Sequence, residues 1–175
     1  RFIDRYGVAW RTEVIQDRLP APYPWLGSRA GLTRTVPAPW TPLVVSRDRA
    51  RVTVGCWGRD YVLGGPGLVA GIAAAGAQLL SGPVVVHATV DGRRANWRPG
   101  ELAVVAAAGD QVVLDRRSTA ACGLTLTARL QLDFDGMLRV DWELTADRPL
   151  RLDALSVEIP LRTAVARYLY RFPGR

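Results

Sequence analysis

Strict two-residue alternation of apolar and polar side chains is the feature of this sequence that most constrains its fold. Between residues 124 and 132 every second residue is apolar, and the same alternation returns between residues 138 and 145. Because successive side chains of a β-strand point to opposite faces of a sheet, each segment predicts a strand with one buried face and one solvated face. The Asp135-Gly136 pair between the segments indicates that the two strands form a hairpin.

The pairing of apolar residues fixes the length of the hairpin loop. A two-residue turn would place Leu132 opposite Arg139 and would mix apolar with charged side chains on both faces. A three-residue loop, Phe134 to Gly136 with the glycine in the left-handed conformation, instead pairs Leu132 with Leu138. We therefore predict the three-residue loop, with Trp142 in the core.

Other strands are predicted along most of the chain, where short β-branched or alternating runs are separated by Gly, Pro and Asp. The predicted strands are 41–45, 51–57, 60–63, 83–90, 101–107, 111–115, 124–132, 138–145 and 150–160. The last strand changes phase midway, which predicts a bulge near Asp153-Ala154. The expected fold class is all-β, an antiparallel β-sandwich with a Pro-rich N-terminal strap.

The 175 residues suit one domain of ordinary size. We assign residues 36–175 to the sandwich domain and residues 1–35 to an N-terminal segment or strap, or to the end of a preceding region. Residues 9–18 fit either a short helix or a strand, and the proline-rich stretch 19–42 predicts an extended strap. Both ends look like cuts, so we expect a piece of a longer chain, and secreted and cytoplasmic locations both stay open.

Charge and composition exclude several classes of protein. All 23 basic residues are arginines, and they are dispersed among 16 carboxylates, so we expect no nucleic-acid partner despite the net charge of +7. The longest apolar run, residues 68–80, is shorter than the roughly 20 residues of a membrane span, so we expect no membrane segment. Cys56 and Cys122 allow one disulfide or two free thiols, and the lack of a Cys/His cluster predicts no metal site.

Short motifs follow one another in order along residues 36–175. They are Val36-Pro37-Ala38-Pro39-Trp40-Thr41-Pro42-Leu43, Val54-Gly55-Cys56-Trp57-Gly58-Arg59-Asp60-Tyr61, Gly67-Leu68 with Ile72, Gly76, Leu79-Leu80 and Pro83, Phe134-Asp135-Gly136-Met137, Ile159-Pro160-Leu161, and Ala166-Arg167-Tyr168. This ordered set resembles the N-terminal β-sandwich domain that precedes the catalytic barrel in proteins related to glycoside hydrolase family 123.

The resemblance implies a parent enzyme that acts on glycosides such as β-linked N-acetylhexosamine. It also implies an adjacent Asp-Glu pair on a downstream barrel, with the substrate's acetamido group as nucleophile. No Asp-Glu dipeptide occurs in this sequence. We therefore expect a non-catalytic accessory domain without a cofactor, whose partner is its own downstream catalytic domain. A carbohydrate-binding module and a structural or adhesive sandwich unrelated to sugar are the alternatives.

Aromatic residues are the candidates for contact with carbohydrate or with another domain. Trp57 and Trp97 lie at the ends of predicted strands beside polar residues, and a flat indole face can stack on the apolar face of a pyranose. Tyr168 and Tyr170 belong to the exit segment, residues 162–175, which leads toward the expected barrel. The aromatic residues of its stretch Tyr168-Leu169-Tyr170-Arg171-Phe172 are costly to expose, so we expect this stretch to dock on another domain.

No residue of this sequence is assigned a catalytic role. Asp141 and Glu143 are about 7 Å apart along one strand face, a spacing that glycoside hydrolysis permits, but Arg129 is expected opposite Asp141 on a solvated face. His87 is the only histidine and is interpreted as a surface or interface residue. The glycine-rich stretch 63–67 lacks the phosphate-loop pattern and is interpreted as a wide turn.

Overall fold

The computed structural model describes residues 2–3, 9–10, 27–29, 33–48 and 51–168, with the backbone alone at 2–3 and 9–10. The chain divides into two compact units, Arg1–Thr33 and Arg34–Arg175. In the first unit β1 (Phe2–Ile3) pairs antiparallel with β2 (Ala9–Trp10). The predicted segment 9–18 therefore begins as a strand, while its remainder and much of the predicted strap lie outside the described residues.

The described part of the second unit consists of strands and turns. Its strands are β3 (Val44–Asp48), β4 (Arg51–Cys56), β5 (Arg59–Gly64), β6 (Val69–Ala74), β7 (Ala77–Gln78), β8 (Val85–Val90), β9 (Arg93–Arg94), β10 (Trp97–Ala107), β11 (Gln111–Ala120), β12 (Leu124–Asp133), β13 (Leu138–Ala146) and β14 (Leu152–Glu158). This confirms the all-β fold class. Within the residues that the structure describes, no helix is long and apolar enough to cross a membrane.

Two layers of antiparallel strands form the sandwich. One layer is the four-stranded sheet β10-β11-β12-β13. The other comprises the five-stranded sheet β3-β4-β5-β6-β7 and the three-stranded sheet β14-β8-β9, which an isolated bridge between Val69 and Val84 connects. Side chains from both layers meet in one apolar cluster, and the predicted antiparallel sandwich is confirmed.

Aliphatic side chains fill the space between the layers. The largest fully buried side chains are Leu63, Leu114, Leu130, Leu132, Val52, Val54 and Val112. They alternate with exposed or half-buried residues along β4, β5, β11 and β12, as a period of two requires. Complete burial of each such side chain contributes about 1.5–3 kcal/mol, so this core holds the two layers together.

The β12–β13 hairpin has the predicted register. Leu132 lies opposite Leu138. One residue closer to the loop, the Asp133 amide donates a hydrogen bond of 3.0 Å to the Met137 carbonyl. Three residues remain in the loop, and Gly136 has a φ of +86°. The three-residue loop with a left-handed glycine is therefore confirmed.

Trp142 is less buried than the alternation predicts. Its side chain shares a face with the apolar residues of β13 and lies opposite Ala128, but it is 37% exposed. β13 is an edge strand of its sheet, so an inward side chain there is packed by neighbours on one side only. The prediction that Trp142 fills the core was therefore wrong.

Several strands differ from the sequence prediction: β3 lies at Val44–Asp48 and not at 41–45, and β11 extends to Ala120 and not to residue 115. β10 begins at Trp97 rather than at residue 101, and it carries Pro99 beside a bulge that ends at Leu102. Proline is tolerated at this point because β10 is an edge strand. β6 was not predicted, since its run of alanine and glycine shows no two-residue alternation.

Both cysteines are free thiols, so the alternative of a disulfide is not realised. Cys56 is buried in the main core, whereas Cys122 is half-buried and packs against the smaller cluster around Ala88 and Leu124. Burial raises the pKa of the Cys56 thiol. Because the thiolate is the reactive form, Cys56 is an inert core residue.

Candidate functional site

A row of exposed apolar side chains follows β14, which is an edge strand of its sheet. The row comprises Leu152, Leu155, Val157, Ile159 and Leu161, each between 40% and 59% exposed. We call this row the apolar edge. Single exposed hydrophobic residues are ordinary on protein surfaces, whereas a contiguous set of them marks an interaction surface.

The apolar edge continues the core face of the sandwich. Leu155 lies opposite Ala88 of β8, and Val157 lies opposite Val86. Ala88 and Val86 are almost completely buried, and paired residues share a face of the sheet. Leu155 and Val157 therefore point to the interior side of their layer, at a position that the other layer leaves uncovered.

The predicted bulge in β14 is confirmed between Leu152 and Ala154. The extra residue brings Leu152 opposite the buried Val90, on the face that Leu155 also shares. Without the bulge, Leu152 would share the outward face of Ser156, which lies opposite His87. The bulge thus adds one leucine to the apolar edge.

The apolar edge itself was not predicted as a contact surface. Alternating Leu155, Val157 and Ile159 predict a strand with an apolar face, and that pattern is the same for a covered strand and an uncovered one. Only the extent of the facing layer distinguishes the two cases.

The chain leaves β14 through an exposed segment. Leu161 forms an antiparallel bridge with Leu80, and the Ser81 amide donates to the Pro160 carbonyl at 2.8 Å. Farther along, Val165 is 44% exposed and Tyr168 is 95% exposed. Tyr168, a predicted contact residue, is thus available to a partner, whereas Tyr170 lies outside the described residues.

A second candidate surface is a groove of about 580 Å³ on the solvated face of the five-stranded sheet. Its lining residues are Thr41, Pro42, Val44, Ser46, Thr53, Gly55, Cys56, Trp57, Gly58, Arg59, Asp60, Ala75 and Gly76. We call it the tryptophan groove. Trp57 lies in the turn between β4 and β5 and is 52% exposed, so this predicted contact residue is at the surface.

A row of three aromatic rings connects Trp57 to the core. The ring centroids of Trp57 and Trp40 are 6.2 Å apart at an interplanar angle of 59°. Trp40 meets Phe134 edge-on, with centroids 5.8 Å apart, and Phe134 packs against the main core cluster. The exposed indole therefore rests on fixed aromatic neighbours.

Trp97, the other predicted tryptophan, has a different environment. It is half-buried, packs against both core clusters, and donates its indole N–H to the Val86 carbonyl at 2.8 Å. The ring does not line the tryptophan groove. Of the two tryptophans that end predicted strands, the structure places Trp57 on the surface and gives Trp97 a packing role.

The carboxylates considered for catalysis lie in a row of surface charges. Asp141 and Glu143 are exposed on β13, and Arg129 lies opposite Asp141 as predicted. Arg129 however makes a bidentate contact of 2.7 and 2.8 Å with Asp115 of β11, while Asp141 pairs with Arg139 at 2.8 Å. Such a row is typical of a solvated face. Within the described ranges, no three His, Cys, Asp or Glu residues are grouped so that they could hold a metal ion.

His87 connects three strands on the outer face of the sheet. Its Nε2 lies 2.7 Å from Glu158 Oε2 on β14, and its Nδ1 accepts a hydrogen bond from Arg94 of β9. Because a guanidinium can only donate, Nδ1 carries no proton in this arrangement, and Nε2–H donates to Glu158. The ring thereby ties the edge strand β14 to β8.

The glycine-rich turn after β5 binds an arginine of the facing layer. Arg116 is only 7% exposed and donates to the carbonyls of Gly65 at 2.6 Å, Gly67 at 2.8 Å and Gly100 at 3.2 Å. A phosphate loop presents backbone N–H groups, whereas this turn presents carbonyl oxygens to a cation. The turn therefore binds a cationic side chain of the fold, and its carbonyl oxygens would not bind a phosphate.

Comparison with known proteins assigns this chain to a family of protein domains. The family described as "Glycoside hydrolase 123, third domain" matches residues 48–171. The matched span includes Trp57, the hairpin and the whole apolar edge. A comparison with curated proteins gives no match to the chain.

Proposed function

Because the chain belongs to the glycoside hydrolase 123 third-domain family, we propose that it is a non-catalytic accessory domain that docks on the catalytic domain of its own enzyme. The parent enzyme is proposed to act on glycosides such as β-linked N-acetylhexosamine. The apolar edge is the observation that carries the docking proposal. Its occupant is the catalytic domain, which we place downstream in the chain.

The free-energy cost of exposing apolar side chains to water supports the proposal that a partner covers the apolar edge. Five aliphatic side chains expose between 40% and 59% of their surface, three of them on the interior side of β14 and two in the segment that follows it. Covering what remains of them would contribute on the order of several kcal/mol, and it would also protect the unpaired edge of β14 from other strands. A partner surface of matching apolar character is the natural cover.

An intrachain partner is favoured over a separate protein. The family is described as a third domain, which implies that its members carry other domains beside it. Domains of one chain meet at a high effective concentration, so a modest interface is enough to hold them together. The exposed Leu161 and Val165 continue the surface along the exit from β14.

The non-catalytic role is supported by the surroundings of the acidic residues. Asp141 is engaged in an ion pair with Arg139, and Glu143 is exposed on the same open strand face. Both lie on an open, solvated face, whereas a catalytic acid is usually held in a buried site that excludes water. Catalysis is therefore assigned to the partner domain.

The test uses the chain and the separately purified catalytic domain of the same reading frame. Isothermal titration should show association of the two, and the double variant Leu155→Asp, Val157→Asp should abolish it. Each single variant, Leu155→Asp or Val157→Asp, should weaken association, and Ser156→Asp is the matched control for them, because it adds one aspartate to the outward face of β14. Association that is absent in the unmodified chain, or that survives the double variant, would contradict docking through the apolar edge.

A second arm tests the assignment of catalysis. The isolated chain is incubated with aryl N-acetyl-β-hexosaminides, and we expect no release of the aryl group. Hydrolysis by the isolated chain that disappears in Asp141→Asn or Glu143→Gln would overturn the non-catalytic role.

A further inference from the structure

We infer that the tryptophan groove binds a neutral pyranoside, with Trp57 as the stacking platform and Asp60 as the acceptor for sugar hydroxyl groups. This inference goes beyond docking, because it gives the domain a ligand site of its own. It rests on the groove and not on the apolar edge, so either proposal stands if the other fails.

The platform is held in place before a ligand arrives. Trp57 contacts Trp40, which contacts Phe134 in the core. Trp40 is fixed in turn by a hydrogen bond of 3.0 Å from its amide to the Pro37 carbonyl, and Phe134 by one of 2.9 Å from its amide to the Asp110 carbonyl. A ring that is already ordered loses little entropy on binding, which favours affinity.

Trp57 is more exposed than the other tryptophans that the structure describes. At 52% it is more exposed than Trp142 at 37%, and Trp97 is half-buried with its indole N–H engaged. An indole with a free face offers a large apolar surface beside solvent. The C–H groups on one face of a pyranose match such a surface.

Polar groups line the same groove. Asp60 is exposed, and in the described part of the chain its carboxylate makes no ion pair or hydrogen bond with another residue. The neighbouring Arg59 does not neutralise it by contact, since the Arg59 guanidinium donates to the Asp135 carbonyl at 2.8 Å. Thr41, Ser46 and Thr53, which carry hydroxyl groups, are also among the residues that line the groove. A carboxylate and hydroxyls beside an aromatic face are the groups that recognise a sugar.

Small residues keep the groove open. Gly55 of β4 lies between Val44 and Asp60 in the sheet, and a Cβ added there would approach Asp60 Oδ1 to 3.2 Å. A Cβ at Gly58 or at Gly76 would meet no atom within 4 Å, so both turns border open space. The volume of about 580 Å³ is in the range of small-molecule sites.

Charge selects among sugars. Among the described residues, Asp60 is the one carboxylate that lines the groove, and the Arg59 guanidinium beside it donates to the hairpin loop. Because the Arg59 guanidinium and the Asp60 carboxylate both line the groove, these two charges cancel, and an anionic sugar gains no net electrostatic attraction from them. We therefore infer a neutral ligand and not a uronic acid.

The test titrates the chain with methyl β-galactoside, methyl N-acetyl-β-galactosaminide and methyl β-glucuronide, and it follows the indole N–H signals by NMR. At least one of the two neutral probes should shift the Trp57 signal saturably, and the glucuronide should bind more weakly. Trp57→Ala should weaken binding by about tenfold or more, since it removes the stacking surface. Trp142→Leu, which removes another partly exposed tryptophan, should leave the affinity unchanged.

A second variant guards against an indirect effect of losing Trp57. Gly55→Val fills the floor of the groove while leaving the aromatic row intact, and valine suits a strand. It should weaken binding as strongly as Trp57→Ala without lowering the melting temperature by more than a few degrees. The inference is overturned if neither neutral probe binds, if the glucuronide binds best, or if affinity survives both variants.

Discussion

Tyr61 of β5 donates a hydrogen bond of 2.8 Å from its hydroxyl group to the carbonyl of Gly136, in the loop of the β12–β13 hairpin. Beside it, the Arg59 guanidinium donates to the Asp135 carbonyl at 2.8 Å. Donors and acceptors come from opposite layers, so the two contacts fasten the hairpin loop to the facing sheet. Tyr61 is buried, and this burial raises its pKa, which keeps the hydroxyl group protonated as a donor.

Gly136→Ala is expected to destabilise the fold by about 1–2 kcal/mol from its backbone conformation, with a further loss from the displaced Arg59 contact. The φ of +86° is unfavourable for alanine, and an added Cβ would collide with the Arg59 guanidinium. Gly92→Ala is the matched control, because Gly92 has a φ of +72° but no atom within 4 Å of an added Cβ. Urea unfolding of both variants measures the difference. Equal losses of stability would show that the contact with Arg59 contributes nothing.

Arg116→Met is expected to cost about 3 kcal/mol or more of unfolding free energy. Arg116 donates to three backbone carbonyls and is 7% exposed, so its removal leaves the buried Gly67 carbonyl without this donor and breaks the two part-buried bonds to Gly65 and Gly100. Arg117→Met, at the adjacent exposed position, should change stability far less. Thermal unfolding followed by circular dichroism compares the two. Similar melting temperatures for both variants would contradict the role given to Arg116.

Acid stability is expected to depend on the pair of Arg129 and Asp115. The hydrogen bonds from Arg129 hold the pKa of the Asp115 carboxyl below its ordinary value. A carboxyl whose pKa is lower in the folded state adds stability above its unfolded pKa of about 3.9, and that stability is lost as pH falls through the folded value. Asp115→Asn should therefore flatten the loss of stability below about pH 5. The effect should be small, because solvent reaches both partners and screens the pair: the Arg129 side chain is 56% exposed and that of Asp115 is 36% exposed.

Urea midpoints measured from pH 6 to about pH 2 check this pH dependence. Arg129→Met should give the same flattened profile as Asp115→Asn, and combining the two changes should add nothing. Arg117→Met serves as the control for loss of one positive charge. A profile for Arg129→Met that stays as steep as that of the unmodified chain would refute the linkage.

The sequence by itself determined the hairpin and its register. Only the three-residue loop pairs Leu132 with Leu138 and keeps charges off the core face, and the structure has that loop. The phase change in β14 likewise required a bulge, which lies between Leu152 and Ala154. These features are local, because a period of two leaves one arrangement that buries every apolar side chain.

The tertiary structure alone decided which apolar and aromatic surfaces are covered. Trp57 and Trp97 have similar neighbours in sequence, yet one is 52% exposed and the other donates its indole N–H to the carbonyl of Val86 inside the sandwich. Leu155 belongs to a strand with the same apolar alternation as the buried strands, and yet it is 42% exposed. The physical reason is that alternation sets which way a side chain points, whereas its burial depends on how far a layer built from distant segments extends over it.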